Sequence, residues 1–154
     1  MAKTKDTRPT SSVRKATPYT KLFEVGVAKF GLYRYTVNDI EAGLGVSKVR
    51  ELSKFIGVSE AQVRRLSRIS SSSFARRVKS GKLSPEESDR LARLSRVTAA
   101  AVEFFEGDRE DAYRWLHAPA PALDGKKPIE IMINDAGVKT VEDLLIRLEY
   151  GVFT

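Results

Sequence analysis

An all-α fold is predicted by three features of this 154-residue chain. Apolar residues recur three and four apart in segments that are closed by Gly. Two Ser-initiated segments carry Gln or Glu three residues on, the pattern by which a helix start satisfies its own free amides. No run alternates apolar and polar residues over a length that would build a sheet. Together these give about seven or eight helices.

The elements follow in order. Residues 1–18 are rich in Lys, Arg, Ser, Thr and Pro and hold only Met1, Ala2, Val13 and Ala16 as apolar residues, which predicts a disordered basic arm. Leu22, Val25, Val27 and Phe30 suggest a short helix that ends near Gly31. Residues 37–44 hold a helical turn closed by Gly43 and Gly45. Residues 46–56 form a helix with Val49, Leu52, Phe55 and Ile56 on one face and Gly57 as its stop. Ser59 and Gln62 cap the next, with Val63 and Leu66 as its buried stripe. After Ser67-Arg68-Ile69 a further helix spans residues 71–79, with Phe74 and Val78 at i and i+4 and Gly81 as its end.

The second half continues the pattern. Ser84 caps, Pro85 takes the first helical position and Glu87 closes the box of a long helix. Leu91, Leu94, Val97, Ala101, Phe104 and Phe105 repeat along it, and Gly107 stops it. Asp108 and Asp111 start a helix containing Tyr113, Trp115 and Leu116, with Trp115 read as a core residue. Pro119, Pro121 and Gly125 shape a loop. Pro128 and Gly137 bracket a short helix, and Thr140 is expected to cap the last one, with Val141, Leu144, Leu145 and Leu148 inward and Gly151 as its end. Ser84 and Asp89 are read as structural, and Arg90 and Arg93 as partners of nearby acids on the long helix.

Composition removes several classes of function. The chain has no Cys and one His, His117, which leaves little from which to build a thiol nucleophile, a zinc site or a Ser-His-Asp triad. It carries no glycine-rich phosphate loop and no paired-acid cluster, so no enzyme and no cofactor are expected. The absence of Cys, of a secretory pattern in the first 20 residues and of an apolar run near ~20 residues points to the cytoplasm and to no membrane. The formal charge is +7, but it is split. Residues 1–82 hold 18 Lys and Arg against 6 Asp and Glu, a net +12, whereas residues 83–154 hold 9 against 14, a net −5. A half at +12 suits a polyanion, and the acidic half does not.

Residues 59–79 have the spacing of a helix-turn-helix, two short helices joined by a few residues. In its DNA-binding form the second helix enters the major groove with its N-terminal residues toward base edges. Here that helix opens with Ser70, Ser71, Ser72 and Ser73, whose hydroxyls suit phosphates and bases. Arg76, Arg77 and Lys79 follow, and Arg68 precedes; each cation near a phosphate adds salt-dependent affinity. These eight residues are the expected DNA contacts. Two departures from the usual pattern favour a plain basic hairpin: Arg64 stands where a small residue is usual, and Arg68 where Gly is usual in the turn.

Three further segments resemble the Xre/MbcA/ParS-type antitoxins. They are Arg76-Arg77 with Lys82-Leu83-Ser84-Pro85-Glu86-Glu87-Ser88-Asp89-Arg90-Leu91; Trp115-Leu116 with Pro119 and Ala122-Leu123-Asp124-Gly125-Lys126-Lys127-Pro128; and Val141-Glu142-Asp143-Leu144-Leu145 with Glu149-Tyr150-Gly151-Val152-Phe153-Thr154. The likeness runs in order from about residue 20 to the C-terminus and leaves out the arm. Ile129-Glu130-Ile131-Met132-Ile133-Asn134 departs from it, being more β-branched than the family's Leu-rich helix.

The resemblance implies a bacterial type II antitoxin without catalysis. Behind the arm at 1–18 it implies two parts, a helix-turn-helix DNA-binding and dimerisation domain at 19–82 and a helical toxin-binding domain at 83–154. The family's partner is a RES-domain toxin, similar to ADP-ribosyltransferases, that depletes NAD. Its helix-turn-helix binds the promoter of its own operon, with a homodimer matching two half-sites about one helical turn apart. The implied toxin-binding residues are Arg147, Glu149, Tyr150, Gly151, Val152, Phe153 and Thr154. Apolar residues at a chain end fray unless docked. They settle either on this chain's own core or in a partner's cleft, where the terminal carboxylate would meet an arginine that otherwise binds an NAD phosphate. The basic arm and pI ≈ 9.7 also permit a basic RNA- or DNA-binding regulator without a toxin partner, although no RNA-reading signature is present.

Overall fold

The computed structural model describes residues 35–151. The expected arm, the helix around residues 22–30 and the last three residues, Val152, Phe153 and Thr154, lie outside the described residues. Eight α-helices follow one another among the described residues: α1 (Val37–Ala42), α2 (Ser47–Ile56), α3 (Glu60–Leu66), α4 (Ser71–Ser80), α5 (Pro85–Phe104), α6 (Arg109–His117), α7 (Pro128–Ile131) and α8 (Asp135–Glu149). A single 3-10 turn, Pro121–Leu123, lies in the Pro-rich loop. One isolated antiparallel bridge joins Gly45 to Lys82, and no strand forms among these residues.

The helix starts form where the polar residues promised. Ser59 and Gln62 make a reciprocal capping box on α3, and Ser84 and Glu87 make another on α5, where Pro85 takes the first turn. Asp108 accepts from the Glu110 and Asp111 amides at the start of α6. Gly57 and Gly81 end α2 and α4 in the left-handed region.

The long helix α5 is the axis of the fold. Its apolar positions Leu91, Leu94 and Val97 share one continuous core with Val49, Leu52, Ile56 and Val63 from the first half and with Leu116, Met132, Val138, Val141 and Leu145 from the second. Both faces of α5 are used because both halves pack on it, so Ser88, Ser95 and Thr98 are buried as well. Their hydroxyls are satisfied locally: Ser95 and Thr98 donate to the Leu91 and Leu94 carbonyls, and Ser88 accepts from the Leu44 amide at 2.9 Å.

Several expectations are corrected. The last helix is capped by Asn134, whose side chain accepts from the Gly137 amide, and not by Thr140. Thr140 sits a turn and a half inside α8 and donates back to the Ala136 carbonyl. Gly137 is therefore no helix stop. It lies in the first turn of α8, where that helix crosses the end of α7 so closely that a Cβ would overlap the Ile131 carbonyl oxygen. Val78, one turn on from Phe74, is 55 % exposed, whereas Phe74 packs on the core. Arg90 directs its Nε to the Ser67 carbonyl, to which it donates at 2.8 Å, while its charge also acts on Glu86 one turn back. Arg93 does pair with Asp89 one turn back, and also with Asp135 at the start of α8. Trp115 is half-buried against the core, 6.3 Å from the Phe105 ring.

Candidate functional site

α3, the turn at residues 67–70 and α4 form the two-helix unit expected from the sequence. The turn is sharp because Arg68 adopts φ +54°, a left-handed conformation that costs a side-chain-bearing residue about 1–2 kcal/mol. The Ile69 amide closes the turn on the Arg64 carbonyl at 2.8 Å, and the Ser67 carbonyl is held by Arg90 of α5. Ile69 is buried beneath it. The strained position is thus fixed from both sides.

α4 lies on the surface with none of its residues buried. Ser70 caps it, accepting from the Ser73 amide at 3.1 Å, and the hydroxyls of Ser72 and Ser73 gather around the Ser70 oxygen. Three contacts hold this helix to the body. Phe74 packs on the core, and the Arg64 guanidinium lies over its ring at 5.1 Å while donating to Ser71 Oγ at 3.2 Å. Arg77 Nε donates to Glu87 Oε2 at 2.7 Å. Arg64 thus has a use at the position where a small residue was expected: it clamps the start of α4.

The expected DNA residues therefore divide. Ser71, Ser72, Arg76 and Lys79 are exposed on α4, and Ser70 and Arg68 are exposed in the turn before it. Ser73 is half-buried beneath the cap. Arg77 is half-buried and engaged by Glu87, which is only 6 % exposed. Burial pushes the Glu87 carboxyl up, but the Ser84 amide and the Arg77 guanidinium together outweigh it and hold it below the usual carboxylate range. Sequence reasoning saw Glu87 as a capping residue and missed its bond to Arg77. Ten residues and a Gly turn separate the two, a spacing that no periodicity marks.

At the other end, α8 buries Val138, Val141, Leu144 and Leu145 against α5, and Arg96 of α5 reaches Glu142 at 2.8 Å. Arg147 and Glu149 are half-buried in the last turn. Tyr150 is 50 % exposed, and Gly151 turns the chain with φ +67°. A further tie between the two halves of the chain comes from α6. Arg109 Nη2 donates to the Phe55 carbonyl at 3.1 Å, covering the C-terminus of α2, and its guanidinium stacks 4.5 Å over the Phe55 ring. Among the described residues no group of three or more acids and His could hold a metal ion, and no helix is long and apolar enough to cross a membrane.

Comparison with known proteins assigns this architecture. A family model described as the antitoxin Xre-like helix-turn-helix domain matches residues 37–96, and one described as the antitoxin Xre/MbcA/ParS C-terminal toxin-binding domain matches residues 100–151. A protein named antitoxin Xre from Yersinia enterocolitica is 35 % identical over 119 residues, 77 % of this chain and 80 % of that one. A second, from Photorhabdus laumondii, is 30 % identical over 114 residues, 73 % and 77 % of the two chains. The chain belongs to the Xre/MbcA/ParS family of antitoxins. A third relative, antitoxin Xre from Pseudomonas putida, is 35 % identical over 69 residues, 45 % of this chain and 43 % of its own. The antitoxin thus joins a DNA-binding helix-turn-helix domain to a toxin-binding domain, and the two matched segments meet inside α5.

Proposed function

We propose that this antitoxin neutralises a RES-domain toxin, an ADP-ribosyltransferase-like enzyme that depletes NAD, by closing the toxin's active site with its C-terminal end. As a cytoplasmic homodimer without catalytic activity it also represses its own operon. In this reading residues 19–82 hold operator DNA, through Arg68, Ser70, Ser71, Ser72, Ser73, Arg76, Arg77 and Lys79. Residues 83–154 hold the toxin, through Arg147, Glu149, Tyr150, Gly151, Val152, Phe153 and Thr154. The observation that carries the reading is the contrast between the two ends. α4 is a surface helix of hydroxyls and cations in a half with charge +12, whereas α8 delivers the exposed Tyr150 from a half with charge −5. Acidic surface complements the basic cleft that a toxin needs for NAD phosphates.

Removal of residues 150–154 tests it. The shortened chain is expected to fold and to bind operator DNA as the parent does, because Val141, Leu144 and Leu145 remain in the core. It is expected to lose protection of cells that express a RES-domain toxin which the parent chain neutralises. A shortened chain that still protects them overturns the proposed toxin contact.

A further inference from the structure

The adjacent arginines of α4 stand in opposite surroundings. A helix turns once in 3.6 residues, so Ser72, Ala75, Arg76 and Lys79 fall on one stripe and Phe74 and Arg77 on the other. The first stripe is exposed throughout, and the second is half-buried against α5 and the core. The Arg76 Nη2 contact to Ser73 Oγ is long, 3.4 Å, and lies at the surface. Arg77 instead meets a carboxylate that is almost wholly enclosed and that also accepts from the Ser84 amide at 2.8 Å. If Arg77 left to reach a phosphate, that carboxylate would be stranded without its cation, which is strongly unfavourable.

We infer that Arg77 is a positioning residue that pins α4 to α5 through Glu87, and that Arg76 is the cation on α4 that reads the operator, at a guanine. The inference rests on the helix-turn-helix reading above and refines it, moving Arg77 out of the contact set. Arg76 projects from the exposed stripe about a turn and a half from the start of α4, and an arginine fork matches the O6 and N7 acceptors of guanine better than any other base edge. Ala75 beside it leaves the fork room to approach. Glu87 acts at a distance from the DNA: it fixes the rotation of α4, and through it the direction of Arg76.

Operator binding by the full chain is measured over a range of salt, with duplexes tiled across the DNA upstream of its gene. Arg77→Met and Glu87→Gln keep the volume of each side chain, and Gln retains the oxygen that caps α5. Each is expected to weaken binding on the order of tenfold, with the double variant no weaker than the weaker single, since both break one pair. None is expected to change the salt slope. Arg76→Ala is expected to weaken binding and to lose discrimination at one G·C pair. Replacing that guanine by 7-deazaguanine, which lacks N7, weakens the parent and leaves Arg76→Ala unaffected. An Arg77→Met variant whose salt slope falls by about 0.9, beside a Glu87→Gln variant that binds like the parent, makes Arg77 a phosphate contact and overturns the inference. A parent chain that binds none of the duplexes overturns the helix-turn-helix reading itself. Nitrogen NMR of the unaltered protein decides the matter without variants. The Arg76 Nε signal is expected to move on adding operator and the Arg77 signal to stay, and the reverse pattern refutes the assignment.

Discussion

Gly137→Ala gives a test in which helix propensity and tertiary geometry predict opposite signs. In an exposed helix interior, Ala is favoured over Gly by ~0.8–1.0 kcal/mol. Gly137 has no positive φ to forbid the change. The obstacle is the neighbouring backbone. An added Cβ would lie 2.6 Å from the Ile131 carbonyl carbon and overlap its oxygen, and no flexible side chain is there to give way. Ordinary carbon contact is roughly 3.5–4.0 Å and the oxygen lies nearer than the carbon, so α7 and α8 must separate by well over ~1 Å at the junction. Overpacking of that kind costs ~1–3 kcal/mol. The shift also pulls the Gly137 amide from Asn134 Oδ1, a 2.8 Å cap, for about 1 kcal/mol more. Setting the propensity gain against these leaves a net loss of about 1–3 kcal/mol, or a thermal midpoint lower by roughly 2–10 °C in a chain of this size. Thermal unfolding followed by circular dichroism reads this directly. A midpoint that rises by a few degrees would refute the close crossing, since only an open site lets the propensity term win.

Three further outcomes follow from the same geometry. Arg68→Gly removes a left-handed strain of about 1–2 kcal/mol and returns about 0.4–1 kcal/mol as unfolded-chain entropy, so the melting temperature rises slightly. Operator affinity falls in the same variant, checked by titrating labelled duplex, because an exposed cation has left the turn. Glu87 lies below its ordinary value near 4.5, so its contribution to stability is complete above that pH and is lost as acid protonates it; acid denaturation of Glu87→Gln is expected to lack that part of the pH dependence. Leu91→Ala opens a cavity where the side chain is 1 % exposed and costs ~2–5 kcal/mol in urea unfolding.

The helices were legible where local chemistry decides them. The Ser59 and Ser84 boxes, Pro85 and the glycines at 57 and 81 act within a few residues of themselves, and these elements begin and end where the sequence places them. The errors fall where a distant segment decides. Gly137 has the signature of a helix stop, yet it is small because α7 passes over it. Thr140 has the signature of a cap, but Asn134 lies six residues earlier and takes that place. Val78 shares a face with Phe74 by spacing, but the body of the protein ends before reaching it. The candidate DNA surface was legible as composition, four serines and a run of cations. The separate surroundings of Arg76 and Arg77 were not, because Glu87 reaches α4 only through the fold of α5.

The charge boundary near Lys82 is not a packing boundary. The core runs without a break from Val49 and Val63, through Leu91 and Val97, to Val141 and Leu145. Polar ties cross it as well: Arg90 to the Ser67 carbonyl, Ser88 to the Leu44 amide and Arg109 to the Phe55 carbonyl. A helix of 20 residues is about 30 Å long, and α5 places the helix-turn-helix unit and the last helix of the toxin-binding domain at fixed positions along that length. Mutations that loosen the core, such as Leu91→Ala, should therefore lower operator affinity and toxin neutralisation together. Only surface changes at the two ends, Arg76→Ala on α4 or loss of residues 150–154 after α8, should separate them. Measuring both activities in this set distinguishes a shared scaffold from two independent domains: independent domains would let Leu91→Ala spare one activity while abolishing the other.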